Sequence, residues 1–155
     1  MTNADVPDDE LLDRWTGVRL DHVDKEFWRG LLAQELRLNR CGDCGHWHHK
    51  PKPVCPQCWS SNLIATPVMG TGTVHLLILL HQGPPGAGVD YSTPHPVVVV
   101  ELDEQPGLRF TSTVIEAAPD DLAIGQRVEL AWIERNDRPH PVFRLERTTR
   151  TSEAR

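Results

Sequence analysis

The sequence is short of positive charge, of apolar residues and of any familiar catalytic signature. Its 16 Lys and Arg stand against 22 Asp and Glu, a formal net charge of −6. A protein that tracks nucleic-acid phosphates carries the opposite balance, so that class is disfavoured. Asp5, Asp8, Asp9, Glu10 and Asp13 hold much of the excess, which leaves the remaining body nearer neutral. No stretch approaches the ~18 uncharged apolar residues of a membrane-spanning helix. The opening Met1-Thr2-Asn3-Ala4-Asp5 lacks the basic-then-apolar order of a signal peptide. The expectation is a cytoplasmic chain with no membrane contact. No dinucleotide or P-loop glycine pattern, no Gly-x-Ser-x-Gly and no His-Glu-x-x-His occurs. His75, His81 and His95, with Tyr91 nearby, have no spaced nucleophile or carboxylate pair to work with, so they are read as structural or surface groups and no catalytic residue is nominated. Hydrophobic residues make up 39% of the 155, below the usual ~45–50%. One domain with a modest core follows, and part of it needs another support.

The four cysteines supply that support. In a reducing compartment they are not expected to form disulfides. They fall as Cys41-Gly42-Asp43-Cys44 and Cys55-Pro56-Gln57-Cys58, two C-x-x-C pairs ten residues apart. Two thiolates three positions apart in a tight turn reach one ion, and two such knuckles face to face make a tetrahedral four-sulfur site. Zinc suits that donor set ahead of rubredoxin-type iron. A dithiol redox site needs one pair at a helix start, not two facing pairs. With no exchangeable ligand, the metal's role is structural.

The rest of the chain divides around this module. Residues 1–20 are acidic and aperiodic and read as a flexible arm. Over 21–35, Asp21 is a plausible N-cap and Val23, Phe27, Leu31 and Leu32 recur at helical spacing beside Trp28. Phe27, Trp28 and Leu31 then form either a face packed on the chain's own domain or a partner-binding face. Leu36–Arg40 alternates as a short strand into the ribbon, taken as 36–62. From 63 to 147, the segments Leu63–Met69, Thr71–Leu80, Pro96–Leu102, Leu108–Ile115, Arg127–Glu134 and Val142–Arg147 alternate with Gly- and Pro-rich turns, which describes a small barrel of five or six strands. Residues 148–155 form a tail. Leu76–Leu80 and Val97–Val100 are continuously apolar and should be buried on both faces. Arg37, Arg40, Lys50 and Lys52, around Trp47 and three histidines, make the one basic stretch. It reads as a solvated hairpin or as a surface for the phosphates of a nucleic acid or coenzyme A.

Several strings together resemble a known family. They are Phe27-Trp28-Arg29-Gly30-Leu31, Glu35 through Cys41, Cys44-Gly45, Pro53 through Cys58, Gly70 through Val74, Val100 through Glu104, and Leu122 through Val128. They are similar to the zinc-ribbon/OB-fold family that accompanies thiolase-like enzymes of acyl-CoA metabolism. The resemblance implies a mainly β chain: an N-terminal helix, a rubredoxin-like zinc ribbon, then a five-stranded OB-fold barrel. It carries Cys41, Cys44, Cys55 and Cys58 over as zinc ligands, and no catalytic residue. It implies a non-catalytic accessory subunit of a thiolase-like retro-aldolase or thiolase, including enzymes of steroid side-chain degradation, in a heterotetramer that encloses a CoA thioester shared with the partner. Trp59 departs from the pattern, which often has Gly there, and so do the His-rich ribbon loop and the long Gly83–His95 loop. The competing functions are a single-stranded nucleic-acid module and a stand-alone acyl-CoA-binding protein; the few strand aromatics, Phe110, Trp132 and Phe143, speak against the first.

Overall fold

The computed structural model describes residues 6–84 and 88–147. The first five residues of the expected arm and the expected 148–155 tail lie outside them. The architecture is mainly β: two short helices, a three-stranded ribbon sheet and a curled five-stranded sheet.

In the ribbon sheet, β1 (Arg37–Cys41) is central, antiparallel to β2 (Trp47–His48) and β3 (Leu63–Pro67). Side chains alternate across a strand, so Leu38 faces the core with Leu36 before it, while Arg37, Asn39 and Cys41 take the other face. β3 falls within the stretch expected to open the barrel. It ladders instead onto β1, from Arg37↔Pro67 to Cys41↔Leu63. The second knuckle delivers Leu63 beside Cys41, and the chain can only return along β1. Gly70, at φ 86°, then turns it into the barrel; a Cβ there would stand 2.6 Å from that of Leu130.

The larger sheet runs β6 (Arg109–Ser112), β5 (His95–Leu102), β4 (Thr71–Leu80), β7 (Arg127–Arg135), β8 (Arg138–Leu145), every neighbouring pair antiparallel. It curls until its outer strands meet at one parallel bridge, Val114↔Phe143, where the Phe143 N–H donates to the Thr113 carbonyl at 2.9 Å. That is the strand arrangement of an OB-fold, closed by a single bridge. Val74, Val98, Val100, Leu102, Val128 and Phe143 fill its inside. Asn136 and Asp137, both at positive φ, make the two-residue β7–β8 hairpin, a turn whose twist matches its strands.

The β4–β5 ladder slips between Val74 and Leu76, leaving His75 as an extra, bulged residue. Below the bulge Thr71 and Thr73 point outward; above it Leu76, Ile78 and Leu80 do, opposite Val99, Val97 and His95. Leu76 and Ile78 are 40% and 48% exposed. The expectation of burial on both faces therefore fails here: the barrel covers the inner row, and nothing among the described residues covers the outer one.

Helix α2 (Lys25–Leu32) is shorter than the expected 21–35. A turn precedes it, in which the Asp24 carboxylate accepts the Asp21 N–H at 2.9 Å. It ends in a Schellman motif: Glu35 N–H reaches the Gly30 carbonyl, Gln34 N–H reaches that of Leu31, and Gln34 takes φ 56°. Where the sequence reads as a flexible arm, α1 (Asp8–Arg14) is an ordered helix. Leu11 and Trp15, one turn apart, are 1% and 3% exposed, and Trp15 packs on Trp28 with ring centroids 4.8 Å apart. Arg29, nearly buried, donates to the Val6 carbonyl at 2.7 Å and to Asp8 at 2.5 Å, and pairs with Glu26. Seven residues are too few for a stable helix alone; these tertiary contacts order it, and a two-residue apolar pattern did not reveal them.

Candidate metal centre

Cys41 ends β1 and Cys44 closes the first knuckle, while Cys55 and Cys58 form the second in the β2–β3 connection. The two knuckles are built alike. Gly45 N–H donates to the Cys41 carbonyl and Cys41 N–H to that of His46; Trp59 N–H donates to the Cys55 carbonyl and Cys55 N–H to that of Ser60. The residue after each pair is left-handed, Gly45 at φ 74° and Trp59 at φ 64°. Glycine adopts that conformation without strain and tryptophan does not. The Asp43 carboxylate ties the knuckles together, accepting from the Ser60 hydroxyl and, at 3.0 Å, from the Asn62 amide.

The four Sγ atoms lie within 4.8 Å of one another, with Cys41–Cys58 at 3.6 Å and Cys44–Cys55 at 3.7 Å. A tetrahedron with Zn–S of ~2.3 Å has S···S edges of roughly 3.8 Å, so the cluster fits zinc. The Cys44 amide, with the Asp43 amide and against the cost of burial, lowers the Cys41 thiol to about 6. Cys58, although the Ser60 amide favours its thiolate, is pushed up to about 12 chiefly by the neighbouring sulfurs. Four thiolates at this separation need a divalent cation among them. Bound there, zinc would supply cross-linking and no open coordination position.

Residues 28–63 match the family described as "ChsH2, rubredoxin-like zinc ribbon domain", and residues 65–133 match "ChsH2, C-terminal OB-fold domain". A DUF35 domain-containing scaffold protein of Methanothermobacter thermautotrophicus is 30% identical over 107 residues, 68% of this chain and 77% of that protein. The chain belongs to the DUF35 family. A probable enoyl-CoA hydratase alpha subunit of Thermomonospora curvata is 36% identical over 123 residues, 78% of this chain; the chain spans only 37% of that relative's length. Among solved structures, the Ltp2-ChsH2(DUF35) aldolase matches with a TM-score of 0.73 and 31% identity, over 83% of this chain and 98% of that one.

The DUF35 chain handles the remaining expected site residues differently. Arg37 and Arg40 lie an odd number of residues apart on β1 and so point to opposite faces. Arg37 is held by Glu35 at 2.6 Å and by Glu26, its stem lying across Gly30, where a Cβ would approach it to 2.9 Å. Arg40 covers the Trp47 ring at 5.5 Å. Lys50 and Lys52 are exposed, and Lys52 edges a cleft of about 300 Å³ with His22, Glu26, Asn39 and Ser61. The four cations therefore do not converge on one phosphate site. The expected partner-binding face is also turned inward: Leu31 is 4% exposed, and Phe27 and Trp28 pack on the core, Phe27 against His49 and Phe110. α2 packs against β1 and β3 of the ribbon sheet and against β8 of the barrel, and so joins the two.

Two connections escaped the sequence. The Gln105 side chain brackets the Trp47 backbone with two 2.9 Å hydrogen bonds, stitching β2 to the β5–β6 turn. His49 sits between Phe27 and Phe110 at the same seam. Among the described residues, no helix is long and apolar enough to cross a membrane.

Proposed function

We propose that this chain is an accessory subunit of a thiolase-like acyl-CoA enzyme, a retro-aldolase or thiolase. It would work in the cytoplasm as half of the protomer pair of a heterotetramer, with a structural zinc ribbon and a CoA thioester shared with the catalytic partner. The observation that carries this reading is the match, over 98% of its length and at 31% identity, to a chain of the Ltp2-ChsH2(DUF35) aldolase. The names of the relatives, a hydratase alpha subunit and a scaffold protein, support the subunit role and leave the reaction to the aldolase match. The chemistry agrees, because a four-thiolate zinc has no position for a substrate. Arg40, Lys50 and Lys52 are the exposed cations left to meet the CoA phosphates at the rim of such a complex. Steroid side chains are the narrower substrate expectation, by resemblance. A single-stranded nucleic-acid role is the weaker alternative, since the exposed upper face of β4 and β5 is aliphatic except for His95 at its end.

The test is a tagged pull-down from the source cells, with mass spectrometry of whatever elutes in stoichiometric amount. A thiolase-like subunit at one copy per chain is the expected result, and CoA-thioester turnover should require both proteins. A chain that elutes alone overturns the reading.

A further inference from the structure

We infer that the outer face of β4 and β5 above the His75 bulge is where the partner subunit docks, seating an apolar surface on this chain's aliphatic strip and a carboxylate against Arg135. This rests on the accessory-subunit reading and names its surface on this chain.

One face of the same two strands changes character at the bulge. Below it the outward side chains are polar and matched within the chain: Thr73 beside Glu101, Glu101 with Arg109 at 3.7 Å, and Arg127 with Asp103 at 2.6 Å. Above it they are Leu76, Ile78 and Leu80 on β4 with Val97 and Val99 on β5, five aliphatic side chains in adjoining register. Contiguous aliphatic surface of this kind marks an interaction site when polar residues rim it. The β4 backbone adds a second feature. β7 pairs with β4 only over Thr71–Thr73, so from Leu76 to Leu80 one edge of the strand has no ladder partner among the described residues. Open, uncharged strand edges are templates for another chain.

The occupant follows from chemistry. Nucleic acid needs stacking rings and cations all along its track, and this face offers five aliphatic side chains with a single imidazole, His95, at its upper end. The upper end, however, is rimmed by a cation: Arg135 at the end of β7 lies 3.5 Å from where a Cβ on Gly88 would stand and close enough to His95 to disfavour its protonation, after burial. Arg135 makes no ion pair among the described residues. Two copies of this chain packed on the strip would oppose Arg135 to Arg135 if the two-fold axis ran along the strands, and would lay Arg135 of one against the lower end of the other if it ran across them. The carboxylates there, Glu101 and Asp103, already answer Arg109 and Arg127. A different protein, with an aliphatic strip and a carboxylate to offer, completes the face.

Ile78→Glu and Arg135→Glu, with Ile124→Glu as a control at another exposed aliphatic side chain (65% exposed), are compared for the affinity of the purified thiolase-like subunit. Circular dichroism and zinc content verify the fold of each. Ile78→Glu is expected to weaken binding by roughly tenfold or more, Arg135→Glu to weaken it less and in a salt-dependent way, and Ile124→Glu to leave it unchanged. The amides of Leu76–Leu80 should gain hydrogen-exchange protection in the complex. Equal affinity for Ile78→Glu, or protection that arises in the isolated chain as its concentration rises, overturns the inference; the second result assigns the face to another copy. A photo-cross-linker at position 78 separates the two proposals. With no thiolase-like subunit in the pull-down, the accessory reading fails. The docking face then fails with it if the probe links only copies of this chain or nothing at all. It survives if the adduct is a second protein whose purified form binds the chain and loses affinity with both Ile78→Glu and Arg135→Glu.

Discussion

The barrel and the ribbon tip are held together by opposite means. In the barrel, Val98, Val100, Leu102, Val128 and Phe143 are each no more than 1% exposed, and burial of aliphatic surface carries the fold. From Cys41 to Asn62 only Cys41, His48 and Cys55 are buried, and none of them makes a hydrophobic core. There the sulfur cluster takes the place of a core. α2, Gln105 and His49 then couple the two units. The difference teaches that one short chain can draw its stability from two different sources, and selective removal of each tests whether the other survives it.

The largest effect should come from the metal. Zinc–thiolate binding contributes on the order of 10–16 kcal/mol to small modules, so a strong chelator, or Cys55→Ser, should abolish hydrogen-exchange protection in the knuckles and β2 while β4–β8 stay protected. Simultaneous loss of both would break the division. Next is Phe143→Ala, which empties the centre of the barrel and should cost about 3–5 kcal/mol. A lower urea midpoint with full zinc content is expected; zinc release at the same midpoint would mean that the ribbon depends on the barrel.

His49 tests the seam. Burial, then Lys50, lowers it to about 4 from an ordinary 6.5. Its folded form resists protonation, so the unfolded chain binds more protons between those values. The associated stability, on the order of 3 kcal/mol, is fully present above pH 6.5 and is lost as pH falls towards 4. Acid also displaces zinc, so the measure is the difference between wild type and His49→Phe in denaturant midpoints across that window. The variant should show the shallower fall, and parallel curves would reject the assignment. The smallest effect sharpens the contrast between the knuckles themselves. Trp59 is 78% exposed and left-handed, so Trp59→Gly should gain about 1 kcal/mol while Gly45→Ala loses a similar amount; chemical denaturation of the zinc-loaded chain reads both.

What was legible in the sequence was what local chemistry dictates. Two C-x-x-C pairs specify a four-sulfur cluster whatever surrounds them, and the Gly- and Pro-marked strands specify a small barrel. What depends on neighbours distant in sequence was not. β3 looks like any barrel strand until the knuckle places Leu63 beside Cys41. α1 has only Leu11 and Trp15 to announce it, and its order comes from Arg29 and Trp28 on another helix. The basic quartet seemed to be a cluster because it is close in sequence; strand alternation sends Arg37 and Arg40 to opposite faces. The stripe on α2 was correctly apolar, but its periodicity does not reveal whether the covering surface is this chain or another.

His75 has a consequence for how this surface changes over generations. A substitution in the upper half of β4 alters one side chain. Deleting the bulged residue would leave a regular ladder, Val74↔Val100 followed by Leu76↔Val99, with Leu76, Ile78 and Leu80 still outward; drawing His75 into the ladder against Val99 would instead exchange the rows and turn Leu77 and Leu79 outward. The outer face thus survives a codon deletion at the bulge and is rewritten by a slip of register. Relatives are therefore expected to tolerate a gap at position 75 of an alignment with the alternation of letters on either side unchanged.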